Sequence, residues 1–378
     1  MERADVVVVG GGPGGSSLAF GLRDAGLRVV VLDRKRFPRD KVCAGWITPA
    51  VLSALGVDPG SYAKDRVLQP IHGFRVRRVG NAESRVRSER PISYGIRRCE
   101  FDHFLLERCE ADVRTGQALA SLAPGGDGFV VNGDLTAPLV VGAGGHFCPV
   151  ARRLAHTAGG PEPAVVAQEV EFRLSDAQAA ACPVEGDVPE LFFTEDLRGY
   201  GWVFRKERYL NVGLGRQDRS RLSGHLTAFL DFLRREGRLP PDLPDDFRGH
   251  AYLLYDQAPR ALVGEGLALV GDAAGLAYPR SGEGIRPAVE SGLLLARALV
   301  QATRAGHALG AAETLEAYRA AVLARFGARE SRPGLTSWLP EAWIRRLAGR
   351  LFGSALFARR VVVDRWFVHA HVPPLRAS

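Results

Sequence analysis

A cysteine lies between a lysine and a tryptophan in the stretch KVCAGW, residues 41–46 of the 378-residue chain. A thiol ordinarily has a pKa of about 8.5, so it is protonated at neutral pH and can act as a general acid. Cys43 could therefore give a proton to a substrate, and Trp46 could keep water away from the site. The alternative is a buried cysteine that only packs inside a loop.

This stretch follows a pattern typical of nucleotide binding. After the run VVVV, which predicts a buried parallel strand, Gly10, Gly12 and Gly15 form GxGxxG. Glycines let the backbone approach a pyrophosphate, and the helix predicted over about 14–25 presents its positive N-terminus to it. Asp33 ends the next predicted strand 18 residues after Gly15, where a carboxylate can accept from ribose hydroxyls. The pattern predicts a dinucleotide site, without separating FAD from NAD.

Two later stretches place polar groups at the ends of predicted elements. Arg98 heads a predicted helix in RCEFD, and Gly271-Asp272 ends a predicted buried strand in LALVGDAAG. A turn rich in glycine and proline follows, and another helix is predicted to begin near Gly284. Asp272 could accept from a polyhydroxyl chain, while the helix N-terminus directs a positive dipole past the turn.

Together, GxGxxG, RxxFD and GDAAG…P…GEG resemble the group A flavoprotein superfamily of aromatic hydroxylases and geranylgeranyl reductases. The resemblance implies FAD as cofactor and an α/β fold: a Rossmann-type parallel-sheet lobe, an interleaved antiparallel substrate lobe and a C-terminal helical tail. It implies that the backbone at Gly284 and Ile285 faces the N1–C2=O edge of the flavin. The FAD-binding residues it implies are Gly10, Gly12, Pro13, Gly14, Gly15, Asp33, Arg34, Lys41, Arg98, Gly271, Asp272, Gly282, Gly284 and Ile285.

Two stretches are similar to the geranylgeranyl reductases in particular. PRDKVCAGW resembles their PxxKxCGG loop, which borders the flavin, and GYGWVF followed by NVGLG resembles the aromatic strand above their substrate cavity. Tyr200, Trp202 and Phe204 alternate, so a strand would place all three on one face, either as core or as an apolar wall for a prenyl chain or aromatic ring. The candidate catalytic residues are Cys43, Trp46, Tyr200 and Trp202.

The chain departs from the family pattern at two points. Arg205-Lys206 stands where the reductases have Pro-Lys, which places charge at the strand end. The wider family's GADG is GAGG here, at residues 142–145, followed by His146 as either a loop histidine or a catalytic one. The missing acid argues against a standard NAD(P)H interaction, and no second dinucleotide fold is predicted. The electron donor therefore stays open between NAD(P)H and a reduced carrier.

Apolar runs and alternating stretches divide the chain into two interleaved lobes. The apolar runs predict four strands of a parallel FAD sheet, at Val6–Val9, Val29–Leu32, Leu139–Val141 and Leu267–Val270. The FAD lobe is predicted to comprise residues 1–72, 96–160 and 257–334. The substrate lobe is predicted to comprise residues 73–95 and 161–256, whose alternation suits an antiparallel sheet.

The last residues, 335–378, are predicted to form a helical extension. Trp343, Ile344, Leu347 and Leu351 recur at helical spacing, with arginines between them. Such a helix would pack on the core or cap the substrate cavity. The alternative is peripheral contact with a membrane, because a basic face with tryptophans suits the membrane interface.

Composition limits the classes of partner and compartment. The net charge of +8 comes mostly from scattered arginines, without zinc-ligand spacing or a recognition-helix pattern, so neither a metal nor nucleic acid is expected. An anionic cofactor or membrane surface suits this charge better. Five cysteines without a CxxC pair, and no leader-like N-terminus, favour the cytoplasm. No apolar run reaches the length of about 18 residues needed to span a bilayer.

Three reactions remain after these considerations. The first is reduction of a carbon–carbon double bond in a lipophilic, prenyl-like or aromatic substrate, with hydride from flavin N5 and a proton from Cys43. The second is hydroxylation of an aromatic or quinone-like substrate. Halogenation is less supported, because the WxWxIP strand of halogenases is absent from the sequence. A flavin-binding protein without activity would not need a built cavity.

Overall fold

The computed structural model describes residues 1–155, 162–218, 221–240, 242–329 and 349–375. Its strands are β1 (Glu2–Arg3), β2 (Val6–Val9), β3 (Val29–Asp33), β4 (Trp46–Ile47), β5 (Leu68–Ile71), β6 (Gly73–Arg78), β7 (Glu83–Arg87), β8 (Ser93–Ile96), β9 (Asp112–Thr115), β10 (Leu122–Gly125), β11 (Gly128–Val131), β12 (Leu135–Ala137), β13 (Leu139–Gly142), β14 (Ala164–Arg173), β15 (Glu190–Phe193), β16 (Gly199–Lys206), β17 (Tyr209–Arg216), β18 (Arg248–Leu253), β19 (Val263–Gly264) and β20 (Leu267–Leu269). Its helices are α1 (Pro13–Leu22), α2 (Pro49–Ala54), α3 (Pro59–Tyr62), α4 (Arg98–Glu107), α5 (Pro149–Ala155), α6 (Asp176–Ala181), α7 (Leu222–Arg235), α8 (Ile285–Ala305), α9 (Ala312–Phe326) and α10 (Ala355–Phe357), followed by a π-helical segment at Ala358–Phe367.

One lobe is built on a sheet with the strand order β19-β20-β13-β2-β3-β9, parallel except at β19. The four parallel strands predicted from apolar runs form its centre, and they are buried because helices cover such sheets on both faces. The fifth parallel strand, β9, has the polar sequence DVRT and gives no such signal. The α/β class with a Rossmann-type parallel-sheet lobe is confirmed. A small sheet of β1, β12, β11 and β10 adjoins it.

Helix α1 begins at Pro13, directly after the first two glycines of GxGxxG, and packs against the long helix α8. A Cβ atom on Gly292 of α8 would lie 2.3 Å from the carbonyl oxygen of Gly14, so this close approach requires glycine. Helix α1 ends at Leu22, earlier than expected, because the chain turns through Gly26 with a positive φ. The packing fixes where the N-termini of both helices point.

The other lobe is a seven-stranded sheet with the order β18-β14-β17-β16-β15-β6-β7. Strands β6 and β7 bring residues 73–87 into it, and β6 pairs with β15 in parallel while the other pairs are antiparallel. Strand β8 pairs instead with β4 and β5 in a separate small sheet, which sets Trp46 opposite Gly95. The small sheet lies where the two lobes meet.

The described part of the tail, residues 349–375, packs on the substrate lobe. Phe352, Val362, Val363 and Phe367 are buried in one cluster with Trp46 and Trp202, so this segment packs on the core. Residues Trp343, Ile344 and Leu347 of the predicted helix lie outside the described residues. No helix in the described ranges is both long enough and apolar enough to cross a membrane.

Candidate functional site

A cavity of about 460 Å³ lies between the two lobes. It is lined by every predicted site residue except Gly15. A Cβ atom on Gly15 would lie 1.9 Å from the carbonyl oxygen of Gly10, so Gly15 serves the packing of α1 on the preceding turn. The cavity therefore brings together residues that are more than 200 positions apart in the chain.

The end of the cavity beside Gly10 and Asp33 suits the pyrophosphate and ribose of a dinucleotide. Gly10 adopts a φ of +120°, which lets the chain turn from β2 towards the start of α1. The Asp33 carboxylate accepts from the backbone N–H groups of Gly11 and Lys35, each at 2.8 Å, which fixes the acid at the end of β3. Arg39 was missed by the sequence analysis. Its guanidinium lies over Gly12 and adds positive charge at the helix N-terminus.

A cluster of charged side chains surrounds Asp272 farther along the cavity. The Lys41 ammonium lies 2.7 Å from Nε2 of His250, which is itself 3.5 Å from a carboxylate oxygen of Asp272. Burial lowers the pKa of Lys41 to about 8, and burial and Lys41 lower the pKa of His250. Burial alone would raise the pKa of Asp272, but the hydrogen bond from His250 and the charges of Lys41 and Arg98 lower it. This cluster can therefore bind a ligand in which a polyhydroxyl chain lies between anionic groups.

Helix α8 points its N-terminus into the same cavity. Gly284 is its N-cap residue, and a Cβ atom there would lie 2.8 Å from an Asp272 carboxylate oxygen. One carboxylate oxygen of Glu283 accepts from the N–H of Arg286 at 2.8 Å, and the other has no hydrogen-bond partner among the described residues. Burial raises the pKa of Glu283 to about 7. Together, the glycine turn, the basic groups and the helix N-terminus fit FAD.

The loop that carries Cys43 lies against this cluster. Arg98 forms two 2.8 Å hydrogen bonds with Asp102, and the Cys43 thiol lies near enough to interact electrostatically with its guanidinium. The N–H of Cys43 donates to Glu169 at 2.6 Å, and the N–H of Gly45 approaches the sulfur at 3.4 Å. The structure thus places the thiol beside a permanent positive charge, in contact with both lobes.

Buried charges lie behind this loop. Lys206 stands at the end of β16, as the sequence indicated, but it is only 1% exposed and pairs with Glu171. Burial alone would raise the pKa of Glu171, but the charge and hydrogen bond of Lys206 lower it. Burial raises the pKa of Glu169 to about 7. Glu169 and Glu283 are acids near the site that the sequence analysis missed: Glu283 stands inside the GEG motif without having been singled out, and no motif marks Glu169.

The aromatic residues form one wall, as the alternation predicted. Trp46 stacks between Phe204 and Phe367, with ring centroids 5.4 and 5.0 Å apart, and Tyr200 packs 5.9 Å from Trp202. The Trp202 indole N–H donates to Asn211 at 2.7 Å. Trp46, Tyr200 and Trp202 line the cavity, whereas Phe204 and Phe367 belong only to the buried cluster that all five rings share.

His146 lies at the edge of the cavity as a buried loop residue. Its carbonyl oxygen accepts from Arg260 at 2.8 Å, and its ring packs against Phe147. The guanidinium of Arg260 also donates to Glu162. These contacts agree with the structural alternative for His146.

The fold and this site define an FAD-dependent oxidoreductase. A family model described as "FAD binding domain" matches residues 3–328, and the chain belongs to this family. FAD is therefore the cofactor, and the resemblance noted from the motifs is confirmed.

Curated relatives and solved structures agree with this assignment. The chain is 30% identical over 328 residues to a menaquinone reductase of Mycobacterium tuberculosis, covering 79% of this chain and 77% of the relative. It is 27% identical over 326 residues to a digeranylgeranylglycerophospholipid reductase of Methanosphaerula palustris, covering 80% and 77%. A geranylgeranyl bacteriochlorophyll reductase-like protein of Thermoplasma acidophilum has the same fold, with a TM-score of 0.76 at 20% identity and 98% coverage of both chains.

Replacing Asp272 should weaken FAD binding. Asp272→Ala removes a buried acceptor and leaves Lys41 and His250 without their counter-charge, which should cost on the order of 1.5–3 kcal/mol. Titration of the apoprotein with FAD, followed by flavin fluorescence, measures the dissociation constant. Asp127→Ala, in an exposed turn outside the cavity, is the control. Equal affinities of the two variants would show that Asp272 does not contact the cofactor.

The raised pKa of Glu169 should appear as pH-dependent stability. Its folded-state pKa, about 7, lies above the ordinary 4.5, so the folded protein loses stability as pH rises between these values. Relative to Glu169→Gln, the wild type should lose about 2 kcal/mol of unfolding free energy between about pH 5.5 and pH 8. Urea unfolding at both pH values measures this change. For the control Asp196→Asn, which does not contact Glu169 and whose pKa is shifted the other way, the difference from wild type should stay constant over this range.

Proposed function

We propose that this FAD-dependent oxidoreductase reduces a carbon–carbon double bond in a lipophilic, prenyl-like substrate. The observation that carries the proposal is the meeting of a thiol, a guanidinium and an aromatic wall at the FAD cavity. The names of the two curated relatives, both reductases, support the same type of reaction. A hydroxylase would not need an acid at this position.

The reaction requires both a hydride and a proton. Bound and reduced FAD supplies the hydride from N5 of its isoalloxazine ring. An isolated alkene has no group that can hold negative charge, so the proton must reach the second carbon with the hydride or before it. In this proposal the Cys43 S–H bond breaks, the proton forms a C–H bond, and Arg98 stabilises the thiolate that remains.

The other cavity residues position the reactants and exclude water. Trp46, Tyr200 and Trp202 offer an apolar surface to an isoprenoid chain, and the Tyr200 hydroxyl is held by the carbonyl oxygen of Ser281. Burial raises the pKa of Tyr200, so it stays a neutral part of the wall. Lys41 supplies positive charge to the cavity, and His250, whose pKa is lowered, supplies a neutral hydrogen-bonding group beside Asp272. The electron donor stays open between NAD(P)H and a reduced carrier.

Loss of the thiol should stop product formation without loss of the cofactor. Cys43→Ala should bind FAD and accept electrons, but form product roughly 10²–10⁴-fold more slowly. Cys43→Ser should restore little activity, because a hydroxyl is a much weaker acid. Mass spectrometry of a polyprenyl substrate measures the product, which should be heavier by two hydrogen atoms.

The control for this experiment is Cys182→Ala, a half-buried cysteine that does not line the cavity. It should reduce the substrate at the wild-type rate. Normal turnover by Cys43→Ala would contradict the role of the thiol. A product heavier by one oxygen atom would contradict the reductase and make the protein a monooxygenase.

The proposal extends to how such a substrate reaches the cavity. Leu356 is 62% exposed on the described tail, and Arg360 and Arg365 are exposed on the segment that follows. An exposed leucine with basic neighbours suits peripheral contact with an anionic membrane, where lipophilic substrates dissolve.

The protein should therefore sediment with anionic liposomes and not with neutral ones. The triple variant Leu356→Ser, Arg360→Glu and Arg365→Glu should stay in the supernatant and still bind FAD, because these side chains are exposed. The double variant Arg234→Glu and Arg235→Glu, at exposed positions on α7 of the substrate lobe, makes the same change in net charge and is the control. Wild-type protein that remains in the supernatant with anionic liposomes would contradict this part of the proposal.

A further inference from the structure

The backbone of the Cys43 loop is bound by side chains of the substrate sheet. Glu169 of β14 accepts from the N–H of Cys43 at 2.6 Å, and Asn211 of β17 donates to its carbonyl oxygen at 3.2 Å. Lys206 of β16 donates to the carbonyl oxygens of Ala44 at 3.1 Å and Ile96 at 2.9 Å. The substrate sheet therefore holds the backbone N–H and carbonyl groups of Cys43 and the carbonyl group of the residue that follows.

This contact depends on the shape of the loop. Gly45 has a φ of +68°, and a Cβ atom there would lie 2.4 Å from the carbonyl oxygen of Ile96 and 2.6 Å from the Lys206 ammonium. A side chain at position 45 would thus displace the lysine from its acceptors. The loop and the buried ammonium fit each other only with glycine at this position.

The side chains that bind the loop also bind one another. Asn211 donates to Glu169 at 3.0 Å and to Glu171 at 3.3 Å, and accepts from the Trp202 indole at 2.7 Å. Buried ionic networks of this kind seldom add net stability compared with apolar residues of the same volume. Holding a backbone in one geometry is a role that apolar residues could not fill.

We propose that Glu169 and Asn211 are positioning residues, which direct the Cys43 thiol towards the reacting carbon and keep it beside Arg98. This inference rests on the function proposed above. Neither residue lines the cavity, so both act through Cys43 and not on the substrate. Both carboxylate oxygens of Glu169 accept hydrogen bonds, one from the loop and one from Asn211, which suits a support for the loop.

Two isosteric variants test the proposal separately. Asn211→Asp replaces the amide donor by an oxygen, which then repels the Cys43 carbonyl oxygen and Glu171. Glu169→Gln places an amide N–H opposite the amide N–H of Asn211, so the hydrogen bond between the two side chains is lost. Each variant should bind FAD normally and lower kcat by about 10- to 100-fold, because misplacement by about 1 Å has effects of this size, while KM changes little. With FAD bound, iodoacetamide should alkylate Cys43 several-fold faster, as located by peptide mass spectrometry.

The double variant Glu169→Gln and Asn211→Asp distinguishes positioning from loss of charge. It keeps the net charge of the pair, leaves position 169 able to accept from the Cys43 N–H, and restores a donor–acceptor pair between the two side chains. Its alkylation rate and kcat should return part of the way to wild type. Gln168→Ala, at the neighbouring position on β14, is the control and should leave both values unchanged.

The outcomes separate the two proposals. If a single variant retains FAD and shows the wild-type alkylation rate and the wild-type kcat, the positioning role is overturned. A lowered kcat with an unchanged alkylation rate would also overturn it, because the loop would not have moved. Faster alkylation of Cys43 in the single variants, together with normal turnover by Cys43→Ala, would support the contact with the loop and overturn the proposed function.

Discussion

The ion pair between Lys206 and Glu171 is the interaction on which the geometry of the site depends. An ammonium buried to 1% exposure must have its donors satisfied, and here it takes two backbone carbonyl oxygens together with the carboxylate. Those carbonyls belong to the Cys43 loop and to the end of β8, directly before the helix that carries Arg98. One buried charge therefore fixes both the thiol and the guanidinium relative to the substrate sheet.

The motifs allowed much of the FAD half of the site to be predicted. GxGxxG, Asp33 and the four apolar strands are local features, because short runs of sequence determine strand, turn and helix in that order. The alternation of Tyr200, Trp202 and Phe204 likewise predicted one aromatic face from local geometry alone. Cofactor residues at strand ends could be placed because parallel strands bring their carboxyl ends to one edge of the sheet.

The remaining site residues could not be predicted because their roles come from distant partners. Glu169 binds a backbone N–H that is 126 positions away, and Asn211 a carbonyl 168 positions away. Lys206 could be placed at a strand end, but its partner could not be predicted, because nothing nearby in the sequence marks Glu171 on another strand of the sheet. His250 and Arg39 belong to no motif. They matter because they face the cavity that suits an anionic cofactor. Such roles depend on tertiary contacts.

The order of strands in the parallel sheet also affects how the protein can form during synthesis. Strand β2, near the N-terminus, pairs with β13, which pairs in turn with β20 at residues 267–269. The nascent chain therefore cannot complete its FAD lobe until residues 267–269 have left the ribosome. The aromatic wall is completed later still, by Phe367. Contacts between residues so far apart in the chain favour slow folding, and cofactor binding belongs to its late stages.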